Sequence, residues 1–320
     1  MPKLGEKIAT RVAYGNALLR LGEQNRDIVV LDADLAKSTN TIKFKHKFPD
    51  RFFDVGIAEA DMIGTAAGLA ASGKIAFAST FAIFATGRAW EQIRNTVCYA
   101  NLNVKVAASH SGIGVGPDGS SHQAIEDIAL MRVIPNMKVV VPADAVETEQ
   151  AVEVLARTPG PAYLRLGRSG VPVIYGQDYE FRLGKASILV EGTDVSIIAA
   201  GAMVQVALAA SQILSKEDSI SARVINMSTI KPMDLDSVMS AAGETGAIVT
   251  VEEHNIIGGL GGAVTEVVCE TVPVPVFRVG IRDVFGQSGE PDELCEHYGL
   301  TASHVAQAAR RALTRKAAAQ

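Results

Sequence analysis

Short apolar runs alternate with helix-period segments along nearly the whole chain, and that alternation restricts the fold more than any other feature. In the first half, residues 27–31, 52–57, 75–79, 103–108, 138–141 and 162–166 read as buried strands. Helices are expected between them at 6–21, 58–72, 86–100, from 123 onward, and at 144–157, where Asp144 can cap the start. In the second half, strands are expected at 195–200, 221–226, 247–251 and 274–279. Helices follow at 202–214, 234–242, 260–270, 290–298 and 301–316. Such alternation demands mostly parallel sheets covered by helices on both faces. The stretch 170–185 is rich in Pro, Gly and Tyr, lacks periodicity and separates the two runs. The expectation is an α/β chain of two mostly parallel-sheet α/β/α domains, at 1–175 and 189–320 with a linker at 176–188. A length of 320 residues agrees with two domains.

In open α/β sheets, ligands bind beyond the carboxyl ends of the strands. Residues 108–123, A-S-H-S-G-I-G-V-G-P-D-G-S-S-H-Q, leave such a strand end and hold four glycines. Glycines let a backbone turn tightly and let a ligand approach. His110, Asp118 and His122 on this loop can converge on one polyhydroxylated molecule, although capping roles would account for them equally well. Other polar and aromatic residues fall at successive strand ends: Asp34 and Ser38, then Glu59, then Phe81 and Phe84, and finally Arg168. Glu59 sits among Ile57, Ala58, Ala60, Met62 and Ile63. An apolar setting disfavours the charged carboxylate and suits proton exchange with a bound base. A first-turn glutamate that favours the helix dipole fits the same position. Phe81 and Phe84 read as core or as an aromatic wall for a heterocycle. Arg168 reads as a surface cation or a phosphate ligand, and Asp32 and Asp34 as loop caps or ligands. Small residues at 64, 67, 68 and 71 let another helix pack closely, as at a subunit interface.

Charge and cysteine usage exclude several classes. A net charge of −5 disfavours a dedicated nucleic-acid binder, which carries a basic face. Cys98, Cys269 and Cys295 are far apart, form no CxxC pair and supply no metal framework. That pattern fits a reduced, cytoplasmic setting. The first residues, M-P-K-L-G-E-K, do not read as a signal peptide. The apolar window 195–210 is too short to span a bilayer.

Four ordered pieces, D-V-G-I-A-E-A (54–60), S-T-F-A-I-F (79–84), H-S-G-I-G-V-G-P-D-G-S-S-H-Q (110–123) and L-G-R-S-G-V-P (166–172), resemble the transketolase family of thiamine diphosphate enzymes. The late E-E-H-N-I-I-G-G-L-G (252–261) and F-G-Q-S-G-E-P (285–291) are similar to it too. The resemblance covers the family's pyrimidine-binding and C-terminal domains. It implies that Glu59 matches the glutamate that hydrogen-bonds the cofactor's aminopyrimidine and promotes the tautomer that activates the thiazolium. Phe81 and Phe84 match the aromatics packed on that ring, and Asp34 an aspartate lining the cofactor pocket. His110 and His122 match histidines on substrate oxygens, and Asp118 the acid that reads a sugar hydroxyl. Arg11, Ser38 and Arg168 match groups that hold the sugar phosphate. The implied reaction is transfer of a two-carbon ketol unit from a ketose phosphate to an aldose phosphate.

Two departures from the family pattern matter. Ala58 and Ala60 flank Glu59, where many transketolases carry Arg and His. The G-D-G motif at which the family binds Mg²⁺ and the diphosphate is absent from this sequence, and no metal ligands are assigned here. The resemblance therefore implies the C-terminal subunit of a split transketolase. An N-terminal partner would carry the Mg²⁺ and diphosphate site, in an α₂β₂ assembly that self-associates through the pyrimidine-binding domain. Alternatives are a deoxyxylulose-phosphate synthase-like subunit, a 2-oxoacid dehydrogenase E1 β-like subunit, or a non-catalytic regulatory subunit. His110 together with Asp118 favours sugar-phosphate transfer over the first two, and retention of Glu59 and both phenylalanines argues against the last.

Overall fold

A computed structural model describes residues 2–176 and 178–318; Met1, Gln177 in the expected linker, Ala319 and Gln320 lie outside the described residues. In chain order the strands are β1 (Lys7–Ala9), β2 (Ile28–Asp32), β3 (Phe52–Asp54), β4 (Ile75–Phe81), β5 (Val104–Ser109), β6 (Lys138–Val140) and β7 (Ala162–Arg165). They continue as β8 (Gly170–Pro172), β9 (Ser187–Val190), β10 (Val195–Ala199), β11 (Ala222–Asn226), β12 (Thr229–Lys231), β13 (Ile248–Asn255) and β14 (Val276–Ile281).

Two sheets carry the α/β fold. The first has seven strands in the order β12-β6-β7-β5-β4-β2-β3 and is parallel except for β12. The second has five, β14-β13-β10-β11-β9, parallel except for β9. Their central strands are apolar on both faces because helices cover both sides: β2, β5 and β10 are buried along their whole length. In the first sheet, β2 leads to β3 on one side, while β4 leads to β5 on the other. Loops therefore diverge between β2 and β4, which is where an open sheet forms its ligand crevice.

Several local expectations are corrected. The helix expected from residue 6 begins at Thr10, because Lys7–Ala9 pair antiparallel with Gly170–Pro172. The expected 86–100 helix is instead two π-helical stretches, Phe84–Arg88 and Ile93–Cys98, around the short α-turn Trp90–Gln92. The helix expected from 123 onward is confined to Asp127–Arg132. Asp144 does cap the Ala145–Arg157 helix, its Oδ1 accepting the Glu147 amide at 2.8 Å. Of the small residues on the Glu59–Ala71 helix, Ala67 is core, whereas Gly68 and Ala71 are exposed.

The two sheets are joined by more than chain continuity. β12, from the second half, is an edge strand of the first sheet and pairs with β6. Val139, Val141 and Tyr163 share one buried apolar cluster with Ile198, Ile225 and Ile230.

Candidate active site

Glu59 is the first residue of the Glu59–Ala71 helix, just beyond β3. Its side chain is 5% exposed, yet its surroundings are not purely apolar. Arg88 Nη1 lies 3.0 Å from its Oε1, which corrects the expected apolar setting. The π-turn explains the partner: i→i+5 bonding brings residues four apart almost into line, and the Arg88 guanidinium lies 4.2 Å over the Phe84 ring. A carboxylate, an arginine and an aromatic face thus form one edge of the crevice.

Phe81 ends β4, and Phe84 stacks near it with ring centroids 5.8 Å apart and planes at 16°. His110 follows the end of β5 with φ +58°, a left-handed conformation that a histidine rarely adopts. There its ring stacks on Phe81 at 3.8 Å. His122, twelve residues on along the glycine-rich loop, meets Phe84 edge-on at 5.4 Å. The four rings form a single wall, buried at Phe81 and His110 and half-buried at Phe84 and His122.

Cations surround the buried histidine. Burial, then the charges of Arg11 and Arg168, hold the His110 imidazole down at about 3, so the ring is neutral at working pH. Its Nδ1 is 2.9 Å from Ser109 Oγ. A neutral imidazole offers one donor and one acceptor, the repertoire that reads a sugar hydroxyl. Arg11 Nη1 donates to the Ser38 carbonyl at 2.6 Å, while its buried Nε has no partner. Arg168 donates to the Val115 carbonyl and lies 3.8 Å from Asp118 Oδ1. Burial and the neighbouring Arg168 charge depress Arg11 in turn. Two guanidiniums that repel each other, one with an unspent donor, form a natural seat for an anion.

The remaining candidates divide. Asp34 also takes a left-handed φ, +61°, and is exposed in a groove of about 400 Å³ with Ser38, Lys45 and Asp54. Asp32 is a loop cap: its buried carboxylate accepts from Thr39 Oγ1, Thr41 Oγ1 and the Leu35 amide at 2.7, 2.8 and 2.6 Å. Sequence reasoning missed Arg88, whose signal was its position four residues after Phe84. It left the role of Glu253 open beyond shaping the domain interface; its Oε1 accepts the Gly114 amide of the glycine-rich loop at 2.6 Å. Among the described residues, no group of three or more His, Cys, Asp or Glu side chains could hold a metal ion. No helix among them is long and apolar enough to cross a membrane.

Residues 6–173 match the family described as transketolase, pyrimidine binding domain, and residues 184–305 match transketolase, C-terminal domain. A putative transketolase C-terminal section from Methanocaldococcus jannaschii is 50% identical over 299 residues, 92% of this chain and 93% of that protein. A 6-deoxy-6-sulfo-D-fructose transketolase subunit from a Clostridium species is 44% identical, over 96% of this chain and 95% of its own length. A solved structure described as a split gene transketolase, inactive beta4 tetramer, superposes with a TM-score of 0.91 at 55% identity, covering 97% of this chain and 99% of its own. The chain belongs to the transketolase family, of which it carries the pyrimidine-binding and C-terminal domains.

Proposed function

We propose that this chain is the C-terminal subunit of a split, thiamine diphosphate-dependent transketolase that moves a two-carbon ketol unit from a ketose phosphate to an aldose phosphate. The observation that carries this reading is the continuous arrangement from Glu59, along the Phe81–Phe84 wall, to the two histidines and the Arg11–Arg168 pair. An aminopyrimidine needs an apolar face and a carboxyl partner, and Phe81, Phe84 and Glu59 supply that chemistry. Bound there, thiamine diphosphate would supply the electron sink for cleaving a bond next to a ketose carbonyl. Glu59 would hold a proton at the pyrimidine. His110, a neutral ring, would hydrogen-bond a sugar oxygen, as would His122; Asp118 would read a hydroxyl, and Arg11, Ser38 and Arg168 would hold the anionic end. Asp34 would line the cofactor side of the crevice.

Among the described residues, no cluster of His, Cys, Asp or Glu side chains could hold the Mg²⁺ that accompanies the diphosphate. Mg²⁺ and the phosphates would be held by an N-terminal partner subunit, in a cytoplasmic α₂β₂ assembly. A similar solved structure, described as a split gene transketolase, inactive beta4 tetramer, supports that dependence. Residues 1–175 would form the pyrimidine-binding domain and 189–320 the C-terminal domain. Pentose-phosphate sugars are the first substrates to try. A specialised ketose is the second reading, because a similar subunit serves a 6-sulfo sugar and an arginine pair grips sulfonate as well as phosphate.

The test is turnover of the complex isolated from its own host, given thiamine diphosphate, Mg²⁺, xylulose 5-phosphate and ribose 5-phosphate. Glyceraldehyde 3-phosphate and sedoheptulose 7-phosphate are the expected products, and the isolated chain alone is expected to be inert. Glu59→Ala should lower turnover by about 10² or more, the usual scale for a lost proton-transfer group. Full activity of the isolated chain would overturn the split-subunit reading. A complex that binds cofactor but ignores the pentose phosphates would move the assignment to another ketose.

A further inference from the structure

The C-terminal half touches the glycine-rich loop at several points, and one contact is built with unusual care. Glu253 projects from β13 and its Oε1 accepts the Gly114 amide at 2.6 Å, across 139 residues of sequence. Gly112 takes φ +70°, and a Cβ there would run into the same carboxylate. The Glu253 backbone is itself held: its carbonyl accepts Arg165 Nη2 at 2.9 Å. Arg165 is buried, pairs with Asp127 at 2.7 Å through Nε, and donates to the Ala124 carbonyl at the far end of the loop. A second fastening lies closer to the histidine. Gln123 Nε2 donates to the Gln287 carbonyl at 2.9 Å, and a Cβ on Gly286 would collide with Gln123 Oε1.

We infer that Glu253 is a positioning residue for sugar recognition: it clamps the glycine-rich loop onto the C-terminal half and thereby sets where Asp118 and His122 stand. The inference rests on the function proposed above. It gives the C-terminal half a task at the site without any contact with substrate. The clamp depends on reach as much as charge. Aspartate keeps the charge but is one methylene too short, whereas glutamine keeps the length and one acceptor oxygen. Glu253 and Arg168 also border one small cavity, so the clamp abuts the anion-holding end of the site.

Two measurements decide it. Hydrogen exchange of the 112–119 amides is followed in the full chain, free of any assumption about activity. Glu253→Asp and Glu253→Ala should each speed Gly114 exchange about tenfold or more, the scale of one charge-assisted hydrogen bond. Glu253→Gln should stay within about threefold of wild type, since it still accepts the amide. In the native complex, kcat/KM for the ketose phosphate should fall about tenfold or more in the Asp and Ala variants, while thiamine diphosphate affinity changes less than about threefold. Should Glu253→Ala fail to fold, Glu253→Asp carries both measurements. Unchanged loop exchange in the variants would overturn the clamp, and so would cofactor affinity falling as far as sugar kcat/KM. A wild-type complex inert on ketose phosphates would sink the proposed function instead, and the exchange result would still decide the clamp.

Discussion

His110 shows how one residue couples stability to the site's chemistry. It is 4% exposed, stacked on Phe81 at 3.8 Å, and faces Arg11 and Arg168, so protonating it in the folded chain is unfavourable down to about pH 3. In the unfolded chain it protonates near its ordinary value of 6.5. Between those two values the unfolded state binds the extra proton, so stability is intact above pH 6.5 and is lost as pH falls toward 3. The full shift corresponds to roughly 5 kcal/mol at most. Across that window the urea stability of wild type relative to His110→Gln should rise with pH by this amount. A second consequence is that the acid limb of turnover between pH 5 and 8 should not move in His110→Gln, because the ring is already neutral there. At this scale the sequence foretold which side chains come together where they sat in consecutive motifs, as with the phenylalanine pair and the two histidines. Arg88 and Glu253 were opaque, because each gains meaning only from a partner 29 or 139 residues away.

The Leu260–Glu270 helix starts without a side-chain cap of its own, since Gly259 precedes it. Glu252, reaching across from β13, does that work: its two oxygens accept the Leu260 and Gly261 amides at 2.6 and 2.8 Å. Burial nevertheless pushes its carboxyl up from 4.5 to about 7, outweighing the two amides. Between those values the folded state binds the extra proton. The group's contribution is therefore present below pH 4.5 and lost as pH rises through 7, by roughly 3 kcal/mol for a shift of 7 − 4.5 = 2.5. That slope is opposite in sign to the one at His110. Glu252→Gln should remove it, while lowering stability at pH 5 because one amide loses its acceptor. Urea titrations at pH 4.5, 6 and 7.5 check both effects, and a slope unchanged in Glu252→Gln would assign it to other groups. This helix was readable because the Gly258-Gly259 turn marks its start. The short strands β1, β8, β9 and β12 were not, since runs of three or four residues owe their conformation to a neighbour rather than to a pattern. The stretch 86–100 read as an ordinary helix, with no sign of the π-turns at 84–98 that bring Arg88 to Glu59.

Across the whole molecule, two sheets of conventional α/β design are bound by polar contacts as well as by a shared core. Asn226 ends β11 in the second sheet and is fully buried. Its Nδ2 donates to both oxygens of Glu147 at 3.0 Å and to Tyr175 Oη at 2.8 Å. Glu147, on the Ala145–Arg157 helix beside the first sheet, also accepts Tyr179 Oη and the Ala143 amide, both at 2.6 Å. A buried carboxylate tolerates its position only while such donors surround it. The alternating pattern in the sequence disclosed two α/β units, but the welding between them was invisible because it depends on pairs from opposite halves. Asn226→Ala should therefore destabilise the chain by about 2–3 kcal/mol, the cost of stranding part of a buried acceptor set. The loss should not stay in the second half. Because β12 closes the edge of the first sheet and Glu147 sits in that half, loosening β11 removes support from both. Calorimetry should show one transition shifted downward as a unit, with calorimetric and van't Hoff enthalpies in agreement. A variant that split into two transitions, one of them at the wild-type temperature, would mean that each half folds alone and that the Glu147 network only decorates their contact.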